Sequence, residues 1–109
     1  MNKKINGLIA APYTPIKNNG EIDLNKISSY AEKLKKDSLS GVFICGTTGE
    51  GMFLTNDERK KIAEEWVKYQ SEDFKIIVHV GTTSAVQSSD LANHAQKNWC
   101  FWNKLYWSY

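Results

Sequence analysis

The sequence predicts an α/β chain in which parallel strands alternate with amphipathic helices, and three observations carry that prediction. Short apolar runs and helical patterns follow one another three times along 109 residues. This is the arrangement of parallel strands joined by right-handed crossovers. The run Gly41-Val42-Phe43-Ile44-Cys45 is continuously apolar rather than alternating, as strands covered on both faces are. Thr55-Asn56-Asp57-Glu58 is a capping box, in which the Thr hydroxyl and the Glu carboxylate each satisfy an orphan N–H at a helix start. These features fit a doubly wound sheet and part of a closed barrel equally well.

The elements follow in order. The first strand pattern runs from Gly7 to Ala11 and is ended by Pro12 and Pro15. Asp23 is placed to cap a helix whose Leu24, Ile27, Ala31 and Leu34 share one face, leaving Glu32, Lys33, Lys35 and Lys36 in solvent. The second strand is Gly41 to Cys45. The helix after the capping box turns Ile62, Ala63, Trp66 and Val67 inward, with Arg59, Lys60, Lys61 and Glu64 expected at its exposed surface. The third strand is Ile76 to Val80, closed by Gly81. Ser84, with Gln87 three residues on, starts a third helix whose inner face is Leu91, Ala92 and Ala95.

Composition excludes several classes of function. The net charge is +2 with acidic and basic residues interspersed, which favours neither nucleic acid nor an anionic membrane. Met1-Asn2-Lys3-Lys4-Ile5 has the look of a signal n-region, but the apolar stretch behind it is broken by Asn6 and Gly7 and stops at Pro12. No segment approaches transmembrane length. Two cysteines, Cys45 and Cys100, make no disulfide framework, and a cytoplasmic location is expected. No Cys/His/Asp cluster has metal spacing and no Ser-His-Asp arrangement can be built. His79, in a strand pattern, is expected to be a hydrogen-bonded packing residue. His94, near the inner face of the third helix, is assigned no role.

The motif with chemical content is Gly46-Thr47-Thr48-Gly49-Glu50-Gly51. Two adjacent hydroxyls between glycines, after a strand and before a helix, suit a small anion. Glycines let backbone N–H groups approach it, and the hydroxyls add donors. The run is neither a Walker loop nor Gly-x-Gly-x-x-Gly, so a carboxylate fits better than a polyphosphate. A tight strand-to-helix turn with no ligand is the alternative. Tyr13 and Thr14, just after the first strand, are weaker candidates for the same neighbourhood.

Gly7 to Pro15, Gly20-Glu21-Ile22-Asp23, Gly46 to Gly51, Glu58-Arg59 and Ile76 to Gly81 occur in an order that resembles the pyruvate-dependent class I aldolases of the N-acetylneuraminate lyase and dihydrodipicolinate synthase family. The resemblance extends from Gly7 to Lys97. Val78-His79-Val80-Gly81, Glu64-Glu65-Trp66-Val67 and Leu91-Ala92-Asn93-His94-Ala95 look more like the N-acetylneuraminate lyase branch. It implies a (β/α)8 TIM barrel, of which this chain holds about the first three βα units, since the whole needs roughly 250 residues. It also implies a homotetramer and a small-molecule substrate, with no nucleic acid and no membrane. The reaction implied is the splitting of a sialic acid into N-acetylmannosamine and pyruvate through a lysine Schiff base. Dihydrodipicolinate synthase chemistry and cleavage of other 2-keto-3-deoxy acids are the alternatives. Thr47 and Thr48 match the residues that hold the pyruvate carboxylate. The family's catalytic lysine and tyrosine have no counterpart, so no catalytic residue is assigned in this chain. As written it is expected to be inactive and poorly stable alone, with strand edges unpaired and inner faces uncovered.

Residues 98–109 stand apart from the aldolase-like segment 1–97. The stretch from Trp99 to Tyr109 holds three of the four tryptophans and two of the five tyrosines, with no helical or strand period. Relatives continue at this point with Ile-Gly-Ala and a fourth strand. Asn98-Trp99-Cys100 written AAT-TGG-TGC reads, from its second nucleotide, ATT-GGT-GC, which is Ile-Gly-Ala. Phe101 to Lys104 as TTT-TGG-AAT-AAG continues that frame as Phe-Gly-Ile-Ser. A one-nucleotide frameshift near Lys97 is therefore expected to account for the tail and the length together. The alternative is a non-catalytic product that binds a full-length subunit through its unfinished edge.

Overall fold

A continuous apolar run suits a strand covered on both faces, and the second run, an inner strand of a parallel sheet, is covered by helices on one of them. The computed structural model of the chain describes residues 7–46, 48–98 and 106–108. Its elements are β1 (Ile9–Ala10), α1 (Asn25–Lys36), β2 (Gly41–Ile44), α2 (Asn56–Val67), β3 (Lys75–His79), α3 (Ala85–Asn98) and β4 (Tyr106–Ser108). A single 3-10 turn, Gly51–Phe53, precedes α2. The sheet order is β1-β2-β3-β4, every pair parallel, with Val42 opposite Ile76 and Ile44 opposite Val78.

Strand alternation divides the side chains between two faces. Val42, Ile44, Ile76, Val78 and Val80 are buried in one cluster with Ile27, Ala31 and Leu34 of α1, Ile62, Ala63 and Trp66 of α2, and Leu91 and Ala95 of α3. Phe43, Ile77 and His79 alternate with these and are half-buried on the other face. Large apolar groups also remain open to solvent, including Phe53 at 86% and Leu8 at 74%. At Gly41 the neighbouring strand leaves no room for a side chain, because an added Cβ would run into the Lys75 carbonyl.

The helix ends separate one expectation that holds from one that fails. At α2 the Glu58 N–H donates to Thr55 Oγ1 at 3.1 Å and the Thr55 N–H to Glu58 Oε1 at 2.9 Å, so the capping box closes as read. At α1 the cap position is Leu24, with no side-chain bond, rather than Asp23. Chain routing explains this. A small loop closed by the Ile16–Ile22 bridge ties the Asp23 N–H to the Pro15 carbonyl at 2.8 Å, and the Asp23 carbonyl accepts from Lys26. At α3 half of the second box forms, the Gln87 N–H reaching Ser84 Oγ at 3.4 Å.

The tail's sequence has no strand period. The backbone of Tyr106–Ser108 instead pairs with β3, Ile77 opposite Tyr106, which covers the edge expected to be free on the third strand. Residues 99–105 and 109, including Cys100, lie outside the described residues, as does the segment 1–6.

Trp66 and Ile62 carry the helix side of the core. Ile62→Val is expected to lower stability by about 1 kcal/mol, read from a urea titration followed by circular dichroism, and Trp66→Ala to unfold the chain by removing about 3–5 kcal/mol. A Trp66→Ala chain that melts cooperatively near the wild-type midpoint would contradict this placement of the core.

Candidate functional site

A turn leaving the C-terminal end of a parallel strand is where ligands meet such a sheet, because the loops there are free to diversify above a packed core. The Gly46–Gly51 segment is that turn. Cys45, at its start, is buried with φ of 60°, and Glu50, near its end, has φ of 58°. Left-handed backbone at a non-glycine residue costs of the order of 1–3 kcal/mol and persists where the surroundings over-determine it.

Those surroundings are visible. The Gly51 N–H donates to the Gly46 carbonyl at 3.0 Å, closing the turn on itself. Gly51 lies so close to Cys45 that an added Cβ would strike the Cys45 carbonyl, which makes glycine obligatory there. Thr14 Oγ1 donates to the Gly49 carbonyl at 2.6 Å, tying the loop after β1 to the turn. Thr14 thus acts in this neighbourhood by holding the turn. Tyr13 is 60% exposed, its ring 5.0 Å from that of Tyr30. Thr48 is exposed in the turn, while Thr47 lies outside the described residues.

Beneath the turn is a group that the sequence reading placed in solvent. Arg59 is only 2% exposed. One guanidinium nitrogen donates to the Gly81 carbonyl at 2.8 Å and another to the His79 carbonyl at 2.5 Å. The guanidinium also lies beside the Cys45 thiol and influences its titration. The helical spacing contained the signal. Residues 59, 62, 63 and 66 fall on one face, but the charge of Arg59 was taken to mark the solvent side. Lys60, also expected in solvent, is half-buried and pairs with Asp90 at 2.7 Å. Lys61 and Glu64 are exposed as expected.

Burial sets the titration of the nearby groups. Desolvation pushes the Cys45 thiol up to about 11, against a smaller opposing pull from Arg59. Burial, then the Arg59 charge, holds the His79 imidazole below its ordinary value. The His79 ring packs 5.6 Å from that of Phe43, as expected of a packing residue. The expected hydrogen bond is missing at Nδ1, which is buried without a partner among the described residues. His94 Nε2 lies 2.7 Å from Glu64 Oε2, linking α3 to α2 away from the turn. Among the described residues no group of three or more His, Cys, Asp or Glu side chains could hold a metal ion. No helix among them is long and apolar enough to cross a membrane.

The arrangement offers hydroxyl and backbone donors over a strand end that has one buried cation beneath it. Known proteins share its framework. The model of the dihydrodipicolinate synthetase family matches residues 4–99. Human N-acetylneuraminate lyase is 44% identical over 95 residues, which cover 85% of this chain and 30% of that protein. The solved N-acetylneuraminate lyase (sialic acid aldolase) of Aliivibrio salmonicida has a TM-score of 0.83 at 42% identity, covering 88% of this chain and 32% of its own. A prophage protein of the dihydrodipicolinic acid synthase family from E. coli K12, solved in complex with pyruvate, has a TM-score of 0.79 at 27% identity, over 84% of this chain and 31% of its own. The chain therefore spans about a third of the length of these relatives.

Two outcomes follow from the site. Folding raises the Cys45 pKa from 9.0 to about 11, so the native state keeps a proton that the unfolded chain releases. Stability is then fully present below pH 9 and falls as pH rises towards 11. In urea titrations the wild type should lose stability over that interval that Cys45→Ala does not lose, and parallel profiles would refute the assignment. Thr14→Val should cost about 1 kcal/mol through the unmet Gly49 carbonyl, read as a lower urea midpoint.

Proposed function

The chain belongs to the dihydrodipicolinate synthetase family, with the fold of the first three βα units of a (β/α)8 barrel. On that premise we propose that it carries the carboxylate anchor of an N-acetylneuraminate lyase-like aldolase. The observation that carries this reading is the turn Gly46–Gly51, braced by Thr14 and strained at Cys45 and Glu50, at the C-terminal end of β2. Hydroxyls and N–H groups of Thr47 and Thr48 would hold the carboxylate of pyruvate, or of the 2-keto acid that yields it. The ketone carbon is thereby presented to a lysine from a later strand. Condensation expels water and forms an imine; as the β-hydroxyl loses its proton and becomes a carbonyl, the bond between the α and β carbons breaks and its electron pair passes to the protonated imine as an enamine, which takes up a proton and is hydrolysed to release pyruvate. The imine is itself the electron sink, so the chemistry uses neither metal nor organic cofactor.

Among the described residues no lysine takes the nucleophile's place. Lys75 begins β3 at the opposite end of the strand from the turn, with its Nζ 3.4 Å from the Ser71 carbonyl. The lysine imine and the proton-transferring tyrosine belong to later strands of the complete enzyme, proposed as a cytoplasmic homotetramer. The likeness to N-acetylneuraminate lyases at 41–47% identity favours a sialic acid over dihydrodipicolinate precursors or other 2-keto-3-deoxy acids as its substrate. We place the frameshift at the boundary between residues 1–97 and 98–109. A non-catalytic product that docks on a full-length subunit is a second reading, favoured by the half-buried face of Phe43, Ile77 and His79, opposite the face on which the described helices pack.

The purified 109-residue chain should release no pyruvate from N-acetylneuraminate, and measurable release would refute its assignment as an anchor without a nucleophile. Reading the gene onward from Lys97 in the neighbouring frame should recover a fourth barrel strand and later a tyrosine and a lysine on strands. In that restored protein, borohydride with pyruvate should trap a lysine adduct. Absence of the adduct would remove the aldolase reading.

A further inference from the structure

The burial of Arg59 is not used by the chemistry above, and its surroundings make it unusual. A buried cation ordinarily has a carboxylate beside it, because desolvating a charge without a counter-charge is costly. Among the described residues the ion pairs are Lys33–Asp37, Lys60–Asp90, Lys68–Glu65 and His94–Glu64, and none involves Arg59. Its partners are the His79 and Gly81 carbonyls, with the Cys45 thiol beside it, all neutral, and its buried Nε has no partner among the described residues. These partners gather at one place. His79 and Gly81 stand at the C-terminal end of β3, and Cys45 leads directly into the Thr-Thr turn. The positive charge left without a counter-charge therefore sits under the end of the sheet where the anchor lies.

We propose that Arg59 is a positioning residue for carboxylate binding at the Gly46–Gly51 turn. It fixes Cys45 against the end of β3, and its uncompensated charge biases the turn towards an anion. Arg59 does not touch the ligand. It acts through Cys45, whose left-handed backbone sets the direction of the turn, and through its field, which burial shields little from a site above it. By engaging two strand-end carbonyls it also removes negative potential that would oppose a carboxylate. This inference rests on the reading of the turn as a carboxylate anchor.

The test separates charge from structure. Ligation at Cys45 gives the full chain with Arg59→citrulline, which loses the positive charge and keeps one terminal N–H donor, the other being exchanged for a urea oxygen. Pyruvate and its neutral amide, pyruvamide, are titrated against both chains while the Thr48 amide resonance is followed. The wild type should prefer pyruvate by on the order of tenfold, and Arg59→citrulline should lose that preference, pyruvate weakening by about tenfold more than pyruvamide. Arg59→Lys, which keeps the charge without the fork, should retain the preference, and it decides the matter if the citrulline chain does not fold. An unchanged preference in the citrulline chain, equal weakening of both ligands, or loss of the preference in Arg59→Lys would overturn the role of Arg59 and leave the anchor standing. Binding of neither ligand by the wild type would overturn the anchor, and the proposal with it.

Discussion

The guanidinium of Arg59 joins three parts of the chain that the sequence keeps apart. It leaves α2, reaches the His79 and Gly81 carbonyls at the end of β3, and lies beside the Cys45 thiol at the end of β2. Helix and strand ends are thereby held in one geometry. A hydrophobic side chain at position 59 could fill the same space, but it could not satisfy two buried carbonyls. The desolvation this placement imposes also explains why Cys45 and His79 are both held in their neutral forms.

The turn above it shows how rigidity is obtained without regular structure. Two left-handed non-glycine residues, Cys45 and Glu50, bracket a segment whose own bond, Gly51 to Gly46, closes it. Such backbone relaxes unless its neighbours hold it. Here they do so from three sides. Gly51 sits against the Cys45 carbonyl, Thr14 grips Gly49, and the Phe43 ring lies where a side chain at Gly46 would have to be, 2.8 Å from an added Cβ.

The sheet carries its asymmetry openly. Helices α1, α2 and α3 bury one face with Ile27, Ile62, Trp66 and Leu91, while Phe43, Ile77 and His79 on the other face are only half-buried. In a closed barrel that second face is the interior, filled by layers from all the strands. A chain spanning about a third of its relatives' length supplies only part of each layer.

Local chemistry made much of this legible in the sequence. The continuous apolar run of β2, the capping box of Thr55 and Glu58, and the inward face of Ile62, Ala63 and Trp66 depend on neighbours a few residues away, so spacing alone determined them. So did the position of the Thr-Thr turn between a strand and a helix. What remained depends on groups distant in sequence. Asp23 lost its capping role because the Ile16–Ile22 bridge ties its backbone elsewhere. Tyr106–Ser108 became a strand because the edge of β3 offered unpaired backbone groups, whatever the pattern of the tail. Arg59 was buried because the carbonyls of His79 and Gly81 lie 20 and 22 residues further along the chain, and only the packed sheet brings them to it. A sequence records that a residue is charged, but only the tertiary structure decides whether that charge meets water or two carbonyl oxygens.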